Sequence, residues 1–209
     1  MGDSKAVVSA EVIDGVGVLT MRDPDRRNAF SGEMWRQLAG ALDRFAQDDA
    51  VRAVVLTGAG LAFATGTPDW EQALPVFAAL ARHPRPVVAR VRGDCLGTGL
   101  VLALAADMRV AAADCVFGFP AEDRPAPAPQ PVIDRLVALV GPGQAARLLL
   151  TGARVEAAEA ARIGLVESVL EDAELSNGVA DLAKSLSDRP AEFLAAAKQG
   201  IARADGSPN

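Results

Sequence analysis

Residues 85–108, RPVVARVRGDCLGTGLVLALAADM, constrain the fold more than any other part of the chain. Residues 86–91 form a short apolar, β-branched run opened by a proline, the pattern of a buried strand. Residues 93–99, GDCLGTG, form a glycine-bearing turn. Residues 100–106 are almost wholly apolar, so a helix there is buried on every side. A strand that feeds a glycine-rich turn and then a helix leaves backbone N–H groups unpaired at the helix start. Such groups can hold an anion or a polarised oxygen. The N–H around Thr98 is thus a candidate half of an oxyanion hole. The plainer alternative is a tight turn whose glycines serve packing.

With 209 residues, half of them apolar, the chain can build one sizeable core, with or without an appendage. A formal net charge of -6 excludes the basic stripe of a nucleic-acid binder. No run reaches 18 charge-free apolar residues, and Asp107 interrupts the most apolar segment, so no membrane span is expected. The N-terminus has no secretory pattern. Its Met-Gly start lacks the Ser or Thr at position 6 that myristoylation requires. Two cysteines, Cys95 and Cys115, make neither a disulfide framework nor a metal site. A cytoplasmic protein with reduced thiols is the expectation.

The remaining segments alternate. Residues 7–13 and 16–21 are β-rich runs joined by Asp14-Gly15, a hairpin signal. Residues 23–28, DPDRRN, form a polar turn. Ser31 can cap a helix reaching about Gln47, with Met34, Leu38, Ala41, Leu42 and Phe45 on one face. Residues 51–57 read as a buried strand, residues 61–68 as a loop of small residues, and residues 70–81 as a helix weakened by Pro75. Short strands come next at 109–112 and 115–119. Residues 122–131, EDRPAPAPQP, hold four prolines and read as a semi-rigid loop within one domain. Helices at 132–139 and 144–150 are separated by Gly141-Pro142-Gly143. A helix at 155–163 stops at Gly164, and a strand at 165–170 comes next. Helices at 172–187 and 190–203 close the chain, with Asp188 as a cap for the second. The class is α/β with a helical C-terminal part.

Four pieces fall in order: GVGVLTMRDPDRRNAF, VRAVVLTGAGLAFATG, RPVVARVRGDCLGTGLVLALAADMRVAAADCVFGFP and RLLLTGARVEAAEAARIGLVESVL. Together they resemble the crotonase superfamily, the enoyl-CoA hydratases and isomerases, over roughly residues 7–170. The resemblance implies a crotonase-like spiral of ββα units, with a core at 1–170, C-terminal helices at 171–203 and a frayed tail at 204–209. It implies a trimer or hexamer, an acyl-CoA thioester as ligand, and coenzyme A as part of that ligand rather than as a bound cofactor. The family polarises the thioester carbonyl with two backbone N–H groups, which stabilise the charge that develops on one oxygen. The matching positions are Thr67, after Gly66 in AFATGT, and Thr98 in LGTG. Arg26 and Arg27 would approach the coenzyme's phosphates or adenine, and Ala64 and Thr65 would border the adenine.

The chain departs from the family where hydratases carry two glutamates. The first position, on the buried helix, is Val101; the second, after GFP, is Ala121. Neither side chain transfers protons, so two-glutamate hydration is not expected. Glu122 and Asp123 lie next along the loop, and a one-residue shift would bring Glu122 into the pocket as a base. One such base is enough to move a proton between two carbons. Asp69, Glu71 and Asp94 are further acids, read as surface or capping groups, and His83 is expected to be exposed. The segment 67–85 is short for the family, the C-terminal end is short as well, and the Pro-rich loop stands where relatives have a glycine-rich one.

These residues leave three functions open. The first is an isomerase or hydratase-type enzyme of fatty acid metabolism with relocated acid–base groups. The second is a non-catalytic acyl-CoA binder. The third is a structural or regulatory subunit.

Overall fold

The computed structural model describes residues 6–119 and 127–204. Ala121, Glu122 and Asp123 lie outside the described residues, as do residues 205–209 of the tail.

The chain opens with the hairpin β1 (Val7–Ile13) and β2 (Val16–Arg22), paired antiparallel. Asp14 and Gly15 turn it with φ of 48° and 80°, as a tight hairpin with the strands' own twist requires. A 3-10 turn (Pro24–Arg26) leads to α1 (Gly32–Gln47). Ser31 caps α1 by accepting a bond from the Met34 N–H at 3.3 Å. Met34, Leu38, Ala41, Leu42 and Phe45 are buried as the 3.6-residue period predicts, and Trp35 joins them. Phe45 packs over Gly17, where a Cβ would lie 2.6 Å from its ring.

Three ββα units come next. β3 (Ala53–Gly58), β4 (Ala62–Ala64) and α2 (Trp70–Ala81) form the first. β5 (Val87–Val91), β6 (Asp94–Leu96) and α3 (Thr98–Ala105) form the second. β7 (Met108–Ala112), β8 (Val116–Gly118) and α4 (Gln130–Thr151) form the third. The first strand of each unit enters a six-stranded sheet of order β1-β2-β3-β5-β7-β10. The second enters a four-stranded sheet of order β4-β6-β8-β9. Repeating that step generates the spiral. β9 (Arg154–Glu156), α5 (Ala157–Arg162) and β10 (Ser168–Leu170) complete both sheets. α6 (Asp172–Ser187) buries Leu175, Val179 and Ala183 and packs on β3, β5 and β7. α7 (Ala191–Ala204) is the last helix among the described residues and is held by Lys198, whose Nζ donates to Asp107 Oδ2 at 2.7 Å and to the Arg85 carbonyl at 3.3 Å.

Four expectations change. The loop of small residues contains β4, the glycine turn contains β6, and the helix expected from 155 begins two residues later, after β9. α2 keeps its expected bounds, with Pro75 inside it. Asp188 ends α6, where it accepts from Lys184 Nζ at 3.2 Å. α4, by contrast, is broken at Gly141 (φ 75°), where the Gly-Pro-Gly run predicts a break.

His83 is the sharpest correction: it is 3% exposed, not a surface group. The Arg85 N–H donates to Nδ1 at 3.2 Å, and Nε2 lies 3.2 Å from the Leu42 carbonyl, to which it can donate. The neutral tautomer with its proton on Nε2 satisfies both contacts. Burial lowers the proton affinity of the ring, the Arg85 carbonyl opposes this, and Lys198 adds to the lowering. An unfolded chain therefore takes up the His83 proton at a higher pH than the folded one. The stability that neutral His83 provides is present above its ordinary value near 6.5 and is lost as pH falls towards the folded value. Melting temperatures recorded from pH 7 down to about pH 5 should fall more steeply for wild type than for His83→Gln, which keeps an amide donor but does not titrate. Parallel curves would remove His83 as the source.

Candidate active site

The glycine turn ends on Gly97, whose φ of 53° and ψ of -108° aim the chain into α3. Every residue of α3 is buried. Its start lies against the end of β4, because a Cβ at Gly97 would lie 2.2 Å from the Gly66 oxygen and one at Gly99 2.1 Å from the Ala64 oxygen. Only glycine permits that approach. The Thr67 and Thr98 stretches named from sequence are thus side by side, Thr98 buried at 1% exposure and Thr67 exposed. The Thr98 N–H donates to the Gly66 carbonyl at 2.8 Å, so it is paired within the chain.

Sequence reasoning passed over the residue that assembles the other edge of this site. Asn28 is fully buried with φ of 56°. Its Nδ2 donates to the carbonyls of Ala59, Ala62 and Phe63 at 2.9, 2.8 and 3.2 Å. Its Oδ1 accepts the Asp23 N–H at 2.8 Å. The available signal was an asparagine closing a polar turn, since Asn tolerates the left-handed region better than most residues. Thr65 adds a second latch, its hydroxyl donating to the Arg27 carbonyl at 3.2 Å. This bond sets the backbone at Arg27 against Thr65.

Both arginines are exposed and face carboxylates. Arg27 Nη1 lies 2.7 Å from Asp94 Oδ2, and Arg26 Nη1 lies 3.7 Å from Asp23 Oδ2. Exposed pairs of this kind are weak, worth about 0–1 kcal/mol, and can exchange a carboxylate for another anion. Asp69 precedes α2 and accepts from Gln72 Nε2 at 2.6 Å. Val101 is fully buried within α3. The thiols do not enter the chemistry: burial pushes Cys95 well up, and Cys115 up to about 12, so both stay protonated. Among the described residues no group of three His, Cys, Asp or Glu side chains could hold a metal ion, and no helix is long and apolar enough to cross a membrane.

The opposite end of α3 is clamped by two arginines. Arg109, 1% exposed, donates from Nη1 to the carbonyls of Ala106 (2.8 Å) and Ala103 (3.4 Å) and from Nε to Leu165 (2.9 Å). Its Nη2 binds Glu167. Arg135 donates to Leu104 and Ala106 at 3.1 and 3.3 Å. The unpaired carbonyls that end any helix are here capped by cations, which also complement the helix dipole. α3 is thereby fixed at the end remote from Thr98.

The enoyl-CoA hydratase/isomerase family model matches residues 11–206. The 1,2-epoxyphenylacetyl-CoA isomerase of Escherichia coli (strain K12) is 30% identical, the alignment covering 95% of this chain and 82% of that protein. The short-chain-enoyl-CoA hydratase of Clostridium acetobutylicum is 31% identical, over 90% of this chain and 78% of its own length. Among solved structures, a monofunctional enoyl CoA isomerase from M. smegmatis superposes with a TM-score of 0.87 at 31% identity, covering 97% of this chain and 95% of that one. The chain belongs to the enoyl-CoA hydratase/isomerase family and has the crotonase fold.

Proposed function

We propose that the chain binds an acyl-CoA thioester across the Gly66–Thr67 and Gly97–Thr98 segments and acts on it as an isomerase-type enzyme rather than a two-glutamate hydratase. Arg26 and Arg27 hold the coenzyme's phosphates, Ala64 and Thr65 border its adenine, and the N–H groups of Thr67 and Thr98 take the thioester oxygen. The observation that supports the reading is that Asn28 and Thr65 tie the polar turn to residues 59–65, while the Thr98 N–H bonds to Gly66 just beyond them. Val101 favours isomerisation over hydration, because the first glutamate position of a hydratase holds a fully buried alkyl group. Glu122 then acts as the single base, removing a proton next to the thioester and returning it to another carbon. Two of the relatives are isomerases by name. The reading includes a trimeric or hexameric cytoplasmic protein.

The test combines calorimetry with acetoacetyl-CoA and an assay of double-bond movement in a 3-enoyl-CoA. Binding should be measurable, and Glu122→Gln should lower turnover by about a hundredfold or more while leaving binding within a few fold. Binding without turnover by wild type would replace the enzyme with the second reading, an acyl-CoA binder, which Val101 and Ala121 also favour.

A further inference from the structure

The geometry points to a docking surface on the open edge of the large sheet: the groove between β1 and α1 takes an extended segment of another protein that carries a carboxylate. β1 stands first in the order β1-β2-β3-β5-β7-β10, so only one of its sides is paired. The register fixes which groups face outward. Ile13 and Val16 flank a two-residue turn and pair directly. The backbone groups of Val7, Ser9, Glu11 and Ile13 therefore point towards β2, and those of Val8, Ala10 and Val12 point away from it. The Val8 N–H agrees, since it donates to Gln37 Oε1 of α1 at 2.7 Å. The N–H and C=O groups of Ala10 and Val12 have no partner among the described residues. Natural edge strands are commonly guarded by lysine or proline. Residues 7–13 hold neither. Val8 and Ala10 pack on the core side, where α1 lies, so Glu11, the one charge on β1, is on the opposite face. Val12 and Ile13 leave this end of the strand apolar and exposed.

The groove beside the edge selects the occupant. It holds about 480 Å³ between Val8 and the surface of α1, where Arg36, Gln37, Gly40 and Arg44 line it. Gly40 lies in the interior of α1, where glycine costs about 1 kcal/mol relative to alanine. A Cβ there would meet nothing within 4 Å, so no packing contact demands glycine. Its effect is to leave the floor open between the two arginines, one turn before it and one turn after it. Arg36 is ion-paired with Glu33, and Arg44 makes no ion pair with any described residue. Both side chains are long enough to meet over position 40, and the guanidinium fork matches a carboxylate. A segment paired antiparallel with Ala10 and Val12 sets a further residue opposite Val8. The side chain of that residue on the α1 face enters the groove, and the arginines select Asp or Glu there. A second copy of this chain fits worse. Paired antiparallel, it brings its own Arg36 and Arg44 to this face and its Glu11 to the other.

The probe is the acetylated and amidated peptide Val-Thr-Val-Thr-Glu, which sets Val, Val and Glu on the α1 face opposite Val12, Ala10 and Val8. Calorimetry with the full chain should show saturable binding below about 1 mM. Replacing the peptide's Glu by Gln should weaken it at least about fivefold, and Arg44→Gln should do the same. Gly40→Leu favours the helix and fills the groove, so it should melt no lower than wild type and lose the peptide. Exchange of the Ala10 and Val12 amides should slow when the peptide is added, while that of Glu11, already paired with Val18, stays as it was. No binding by wild type at about 1 mM, equal binding of the Glu and Gln peptides, or full binding by Gly40→Leu overturns the proposal. A dimer in sedimentation whose Ala10 and Val12 amides are protected without peptide overturns it too, and gives the edge to a second copy.

Discussion

Arg109→Met should be among the most destabilising single changes this chain can carry, lowering stability by about 3–5 kcal/mol. For a protein of this size that is on the order of 10 °C in melting temperature. The substitution keeps much of the side chain's volume but removes donors from the carbonyls of Ala103, Ala106 and Leu165 and leaves Glu167 without its guanidinium partner. Glu167 is part-exposed and can turn to water, so most of the loss comes from the enclosed carbonyls. Arg109→Lys should fall between, since one ammonium cannot span acceptors that the planar guanidinium reaches from three nitrogens. Urea unfolding of the three proteins measures the series. A methionine variant within about 1 kcal/mol of wild type would show that Arg135 alone suffices to cap α3.

Asn28 should be nearly as sensitive, and the order of its variants is diagnostic. Asn28→Ala removes the donors to three carbonyls and the acceptor for Asp23 N–H, and places an alanine at φ 56°. A loss of about 3 kcal/mol is expected from the unpaired groups and the left-handed backbone together. Asn28→Gly relieves the backbone part and should be milder by about 1 kcal/mol. Asn28→Asp should be the worst of the three although it is closest in shape, because a carboxylate would face three carbonyl oxygens in an enclosed space. Thermal melts rank the three. An aspartate variant as stable as wild type would mean the 59–63 segment is held by something other than this amide.

Much of the large sheet was legible because each of its strands carries a local signal. Asp14-Gly15 announces the hairpin, Ser31 announces α1, and the apolar runs around Val54, Val88 and Val110 announce central strands. β4, β6 and β9 were not legible. Each is three residues long, and each exists only because a partner from a distant part of the chain pairs with it, as Cys95 does with Ala64 and Phe117. His83 was misread for a related reason: its surroundings in sequence are polar and proline-rich, but its burial is decided by Leu42 on α1. At the site, glycines and small residues marked where the chain comes close to itself.

The place of β8 in the small sheet has an evolutionary consequence. It is bonded on one side to β6 and on the other to β9, so both its edges are held whatever the sequence beyond its C-terminal end. The strand ends at Gly118, and α4 begins at Gln130. A lineage carrying this scaffold can keep β8 in register through selection on β6 and β9 alone, which leaves the sequence that comes after the strand under a separate pressure.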